Sequence, residues 1–213
     1  MSASLTRLDL YNKALKHLGE RKLASLTESR EPRRYLDDEY DSALRFCARQ
    51  GFWNFAMKAQ KIDHSSVVTP AFGYLYAVVK PVDVAKVMVI STSETFSPVL
   101  RDYRDQGGYW LSNFDPLYIL FISNALASDP ANFPDDYGEY VGAYLGLQIL
   151  PRITQKSADE IVAFEKRVAK YLAIARANDA MDQAPAQRPY GTWVTSRSMR
   201  AGIQRNIPMS IID

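Results

Sequence analysis

Cysteine is nearly absent. Cys47 is the single cysteine in 213 residues, so no intrachain disulfide and no thiolate metal cluster can form within one chain. Histidine is almost as scarce: His17 and His64 are the only two. Neither has a metal-ligand set or a nucleophile with its base nearby in sequence, so both read as ordinary surface residues and no cofactor or metal is expected. A run of about 18 uninterrupted apolar residues, the minimum for spanning a bilayer, is missing. The first ten residues, Met1 to Leu10, also lack the basic start and apolar stretch of a signal peptide. We therefore expect a protein made and kept in the cytosol, with no membrane segment. Charge of one sign is missing too, since the net charge is only +2, too small for a dedicated nucleic-acid binder.

What is present divides unevenly along the chain. Hydrophobic residues at 47% and charged residues at 23% match an average globular protein large enough to bury a real core. From Ala184 to Asp213 there are four arginines (Arg188, Arg197, Arg200, Arg205) against one acid, Asp213. That segment carries 4 − 1 = +3, which leaves −1 on the body.

Helical periodicity opens the chain. Leu5, Leu8, Tyr11, Leu15 and Leu18 share one side of a helix over residues 4 to 18, with Lys13, Lys16 and His17 on the other and Gly19 as a C-cap. A second helix is expected from Pro32, which suits a first helical turn, to Gly51. It buries Leu36, Tyr40, Ala43, Leu44 and Cys47, and pairs Asp41 with Arg45 on the exposed side. Immediately after it come Phe52, Trp53 and Phe55, too much aromatic surface to leave in water. We expect these three to form a core cluster that pins the helix end.

Between Ile62 and Ser123 the pattern changes to short β-rich runs: Tyr74 to Val79, Val84 to Ser91, Tyr109 to Ser112 and Leu117 to Ser123. Turn signals at Pro81 to Asp83, Gly107-Gly108 and Asp115-Pro116 separate them. The last run is continuously apolar, so it is either covered on both faces or placed at a subunit interface. A third helix follows from Pro134 to Pro151, with Gly138, Gly142 and Gly146 recurring every four residues. Each mid-helix glycine costs roughly 0.8 to 1 kcal/mol relative to alanine. Three of them therefore mark a seam where another helix packs closely, within the chain or between subunits. Ser157 and Glu160 form a capping box for a fourth helix, whose apolar stripe is Ile161, Phe164, Val168, Tyr171, Leu172 and Ala175, with Lys166 and Lys170 opposite.

The predicted fold class is α+β: a four-helix bundle core with an inserted antiparallel β region and a long extended C-terminal arm. Residues 1–60 form the first helical pair, 61–130 the β insertion, 131–182 the second helical pair and 183–213 the arm. Thirty extended residues reach about 100 Å, against a radius of gyration near 16 Å for the body. Tyr190, Trp193, Met199, Ile203, Ile207, Ile211 and Ile212 space apolar anchors along this basic segment. A disordered solubilising tail would be poorer in them. We read the arm as docking on a partner in preference to folding back on its own body.

This order of elements resembles the head-to-tail adaptor family of short-tailed bacteriophages, the tail tubular protein A family. The residues that carry the resemblance are the block from Tyr11 to Gly19, Leu23 to Thr27, and the helix ending in Gly51-Phe-Trp-Asn-Phe55. Tyr74 to Asp83, Tyr103 to Asn113 and Asp129 to Asp136 are similar as well. The resemblance covers nearly the whole body, and its specificity lies in the order and spacing of the pieces. It implies a virion structural protein at the head-tail junction, made in the bacterial host cytoplasm and serving DNA ejection. Its ring, a 12-mer in that family's pattern, would sit beneath the portal protein and join it to a tail nozzle of the tail tubular protein B kind. DNA would pass through the channel without sequence-specific binding. The arm, with Tyr190, Trp193, Arg197, Met199, Arg200, Ile203, Arg205, Ile207, Ile211 and Ile212, would hold the portal.

No catalytic residue emerges, and a non-enzymatic role is expected. The paired acids Asp37-Asp38 and Asp135-Asp136 have the residue type of glycosidase carboxylates, but the first pair lies on an amphipathic helix and the second at a helix start, where acids are common. A muramidase-like peptidoglycan hydrolase, an activity credited to some adaptor relatives, is the second reading. Lys13, Lys16 and His17, with Arg30, Arg33 and Arg34, read as a solvated face in preference to a phosphate-contacting channel lining.

Overall fold

In the computed structural model, described here for residues 4–153 and 158–182, the protein is mixed α and β, with five helices and two small antiparallel sheets. Helix α1 (Arg7–Leu18) starts later than its periodicity indicates, because Thr6 caps it. The Thr6 hydroxyl accepts from the Asp9 amide while the Asp9 carboxylate accepts from the Thr6 amide, a capping box built with aspartate in the usual glutamate place. At its other end Gly19 sits at φ 78°, the left-handed cap that glycine adopts without strain. Helix α2 (Glu31–Arg49) carries Pro32 in its first turn. After the strands come the short α3 (Asn124–Ser128), then α4 (Asp135–Ile153), which runs through Pro151, and α5 (Ala158–Met181). Ser157 of the expected capping box lies outside the described residues.

Helices α1, α2 and α5 all pack against α4. One apolar core joins them, including Leu10, Leu15, Leu44, Trp53, Tyr137, Val141, Leu145 and Phe164. Helix α5 contributes least to it, burying only Phe164, Val168 and Ala175. No helix among the described residues is long and apolar enough to cross a membrane.

The β part begins earlier than expected. Strand β1 (Met57–Ile62) follows α2 after one turn of tight helix, Asn54–Ala56. The boundary placed at residue 60 therefore falls inside a strand. With Lys58, Ala59, Gln60 and Lys61 all exposed, β1 shows no alternation to betray it. Strands β2 (Tyr76–Val79), β3 (Val84–Ser91), β4 (Tyr103–Gln106), β5 (Tyr109–Ser112) and β6 (Leu117–Ser123) follow. One sheet has the order β1-β6-β3 and the other β2-β5-β4. The central position of β6 accounts for its unbroken apolar run. Leu117, Ile119 and Phe121 enter a second core with Ile90, Val78 and Trp110 from both sheets, whereas Ile122 enters the helical core.

Asp83, in the turn before β3, ties sheet to helices. Its carboxylate accepts from the Ser123 hydroxyl at 2.7 Å, the Ala125 amide at 2.8 Å and the Lys58 ammonium at 3.2 Å. Partial burial opposes its charge, but these donors hold the carboxyl below its ordinary range.

Candidate functional site

The segment after α2 forms the junction between helices and sheet. Gly51 is not the helix cap, since Gln50 ends α2 in the right-handed region and donates its amide to Cys47 O. Glycine is required at 51 for a different reason: a Cβ there would lie 2.7 Å from Trp53 Cε2. The indole folds back over the helix end, donates Nε1–H to Cys47 O at 3.2 Å and meets Tyr137 edge-on at 4.8 Å. Trp53 is 1% exposed. Phe55 is half-buried and lies 4.8 Å from Tyr137 and 5.6 Å from Phe133. Phe52 departs from the expected core cluster, with 42% of its surface exposed. Successive residues here point to opposite sides, so burying Trp53 turns Phe52 outward, where the Lys86 ammonium stands 4.1 Å from its ring centre.

Below the junction, Cys47 is fully buried, and burial pushes its thiol up to about 12 even though a hydrogen bond with Tyr140 opposes this. That leaves it a small core residue with no reactive thiolate. On the other side, the Asn54 amide and side chain bond Asp179 Oδ1 at 2.8 Å and Asp179 O at 2.6 Å. The end of α5 is thereby fastened to the same junction.

The glycine seam faces α1. A Cβ on Gly142 would lie 2.6 Å from Lys13 Cβ, one on Gly146 3.2 Å from Ala14 O and from Phe164 Cζ, and one on Gly138 2.5 Å from Leu5 Cδ1. The close approach is thus made within the chain, and it places polar groups of α1 against α4. Lys13 pairs with Glu139, and His17 Nε2 stands 3.5 Å from Glu139 Oε2. Burial works against the Glu139 charge, but the Lys13 hydrogen bond and the cationic neighbours hold its carboxyl below the ordinary range.

His17 is therefore no surface residue. Its side chain is 7% exposed, and its ring lies 6.3 Å from Phe164 and 5.3 Å from Tyr171 of α5. Periodicity assigned it to the outer side of α1, but a third helix covers that side. Burial lowers its affinity for a proton, Glu139 works the other way, and Arg167 and Lys16 add to the lowering.

Asp37 is held between three donors: Arg7 at 2.8 Å, Arg33 at 2.6 Å and the Tyr11 hydroxyl at 2.7 Å. It ties α1 to α2. Asp38 is exposed, Asp135 is exposed at the start of α4, and Asp136 accepts from Asn178. Of the basic residues read as a solvated face, Lys13 and Arg33 are ion-paired as described, Arg30 bonds Arg21 O at 3.0 Å, Arg34 reaches Ser29 Oγ at 3.4 Å, and only Lys16 is simply exposed. Asp41 and Arg45 form no ion pair among the described residues.

No protein-family model matches this chain, and no curated protein matches it.

Among the described residues, no group of three His, Cys, Asp or Glu side chains is arranged to hold a metal ion. A hollow of about 330 Å³ lies on the outer face of the second sheet, bordered by Phe72, Tyr74, Arg104 and Tyr109. A smaller one of about 40 Å³ borders Trp53, Asp136 and Asp179. The expected docking residues Tyr190, Trp193, Arg197, Met199, Arg200, Ile203, Arg205, Ile207, Ile211 and Ile212 lie outside the described residues.

Three outcomes follow. Trp53→Ala is expected to destabilise the fold by about 3 to 5 kcal/mol in denaturant unfolding, while Phe52→Ala changes it by about 1 kcal/mol or less; equal effects would contradict the inward and outward placement. Gly142→Ala is expected to lower stability by about 1 to 3 kcal/mol, since Lys13 Cβ cannot swing aside; a neutral or stabilising result by calorimetry would show the seam to be looser. For His17, the unfolded side chain titrates near pH 6.5 and the folded one lower. The unfolded state then binds more protons as pH falls below about 6.5, and stability drops. Denaturant midpoints at pH 7.5 and 5.5 should show a smaller loss in His17→Gln than in the wild type, and identical losses would refute the assignment.

Proposed function

We propose that this protein is a structural head-to-tail adaptor of a bacteriophage virion. In this reading α1, α2, α4 and α5 form a four-helix bundle that builds a ring, the two sheets are its insertion, and residues 183–213 are the portal-holding arm. The observation that carries the proposal is the order of two long helices, β insertion and two long helices, with Gly51-Phe-Trp-Asn-Phe55 at the first crossing between them. The sequence resemblance predicts that order, and the packing supports it: Trp53 and Asn54 bind the end of α2, the start of α4 and the end of α5 at one point.

The mechanism is assembly. A ring joins portal to tail nozzle around the DNA channel, and each subunit contributes one basic arm with spaced apolar anchors. Individually weak contacts are multiplied by the symmetry of the ring. The DNA passage needs no tight phosphate binding, consistent with the internal pairing of Arg30, Arg33 and Lys13. No geometric observation favours the hydrolase reading, because Asp37 is engaged in holding α1 to α2.

Imaging the protein mixed with its cognate portal tests this directly, and a cap of added density is the expected result. A portal that stays bare at saturating protein overturns the adaptor reading. A chain ending at Asp182 is expected to fold, with an unchanged helical signal, but to leave the portal uncapped. Capping by that shortened chain would remove the arm from the mechanism.

A further inference from the structure

Helix α5 buries one narrow stripe and leaves an apolar outward face. Val162 is 46% exposed and Ile174 39%, and Lys166, Ala169, Lys170 and Ala173 lie exposed between them. A helix that is apolar on more than one side has a further surface to cover. The outward face of α2 is its electrostatic complement, with Asp38, Asp41, Ser42 and Arg45 exposed. Beside them Phe46, 45% exposed, is held rigid by stacking on Tyr144 at 4.6 Å. Asp38, Asp41, Lys166 and Lys170 make no ion pair among the described residues.

We propose that the outward face of α5 in one copy packs, in parallel, against the outward face of α2 in the next copy. This rests on the ring reading above and names the surfaces that close the ring. Counted from Val162 and Arg34, Lys166 and Asp38 each lie four residues on, Lys170 and Asp41 eight and seven, and Ile174 and Phe46 each twelve. Both charge pairs and the apolar pair thus meet in one alignment. Run antiparallel over the same span, the same faces would set Lys166 against Ser42, Lys170 against Asp38 and Ile174 against Arg34, so the direction is set by the helix axes. In the parallel alignment Arg45 falls opposite Ala173, where α5 has no cation.

The helix directions agree. Arg152, near the end of α4, pairs with Glu39 of α2 at 3.7 Å, while Tyr137 at the start of α4 meets Trp53 beyond the end of α2. Asn178 near the end of α5 bonds Asp136 at the start of α4. So α2 and α5 both run antiparallel to α4 and parallel to each other. Rotation about an axis along the helices preserves that direction between copies, and such a head-to-tail contact closes into a ring.

Native mass spectrometry and sedimentation of the full chain over a concentration series test the contact. Wild type is expected to associate. Asp38→Lys with Asp41→Lys, or Lys166→Asp with Lys170→Asp, is expected to weaken association by roughly tenfold or more, and all four changes together to restore it. Unchanged circular dichroism would show that each variant is folded. Association insensitive to either reversal, or no rescue by the combination, overturns the α5 to α2 contact and leaves the ring reading standing. Wild type that stays monomeric at every concentration also overturns the contact. The adaptor reading fails separately, on a portal left bare by the wild-type chain.

Discussion

The approach of α1 to α4 is the contact on which the remaining helical packing depends. Gly142 and Gly146 bring the backbones so close that an added methyl group would meet Lys13 Cβ or Ala14 O. Each glycine weakens α4 as an isolated helix by roughly 1 kcal/mol. Dispersion contacts along the seam and the burial of Leu10, Ala14 and Leu15 compensate. The same proximity lets Lys13 neutralise Glu139 in a partly buried place. It also draws Phe164 of α5 against Gly146 and leaves His17 enclosed between the two helices. Widening the seam would loosen three helices together.

A second constraint joins helices to sheets. Trp53 fills the space between the end of α2 and the start of α4, and its placement dictates a glycine at 51 and an outward Phe52. Asn54 adds two hydrogen bonds to Asp179, and Asp83 collects donors from β1, β6 and α3. These polar ties are short and directional, which suits a point where chain direction must change without exposing backbone groups. The two cores meet at the end of β6, where Leu117, Ile119 and Phe121 serve one and Ile122 the other.

Residue patterns made much of this architecture legible. The periods of α1, α2 and α5 were readable because each has an apolar stripe whose spacing matches 3.6 residues per turn, α4 was readable from its bounding prolines and the recurrence of glycine every four residues, and Gly19 and Pro32 marked ends that depend on local chemistry alone. Strand β1 was not readable, because an edge strand with four exposed positions in a row shows no alternation. Strand β4 was missed for a similar reason, with Arg104, Asp105 and Gln106 all exposed. His17 was misplaced because a helical wheel shows which side faces the first neighbour and says nothing about a third helix arriving from residues 158 to 181. Phe52 and Trp53 carried the same apolar signal, and only the direction of the chain after α2 separated them.

By itself, then, the sequence determined the four long helices and four of the six strands, the cap at Gly19, the need for a close contact along Gly138, Gly142 and Gly146, and the basic character of residues 184 to 213. All of these follow from short-range sterics, local hydrogen bonding and composition. Tertiary structure alone decided that α1 fills the seam, that Gly51 serves Trp53 and not a helix cap, that Glu139 takes Lys13 as its counter-ion, and that His17 is buried. Those outcomes depend on which distant segments meet, and long-range proximity is a property of the packed whole that no local window of residues contains.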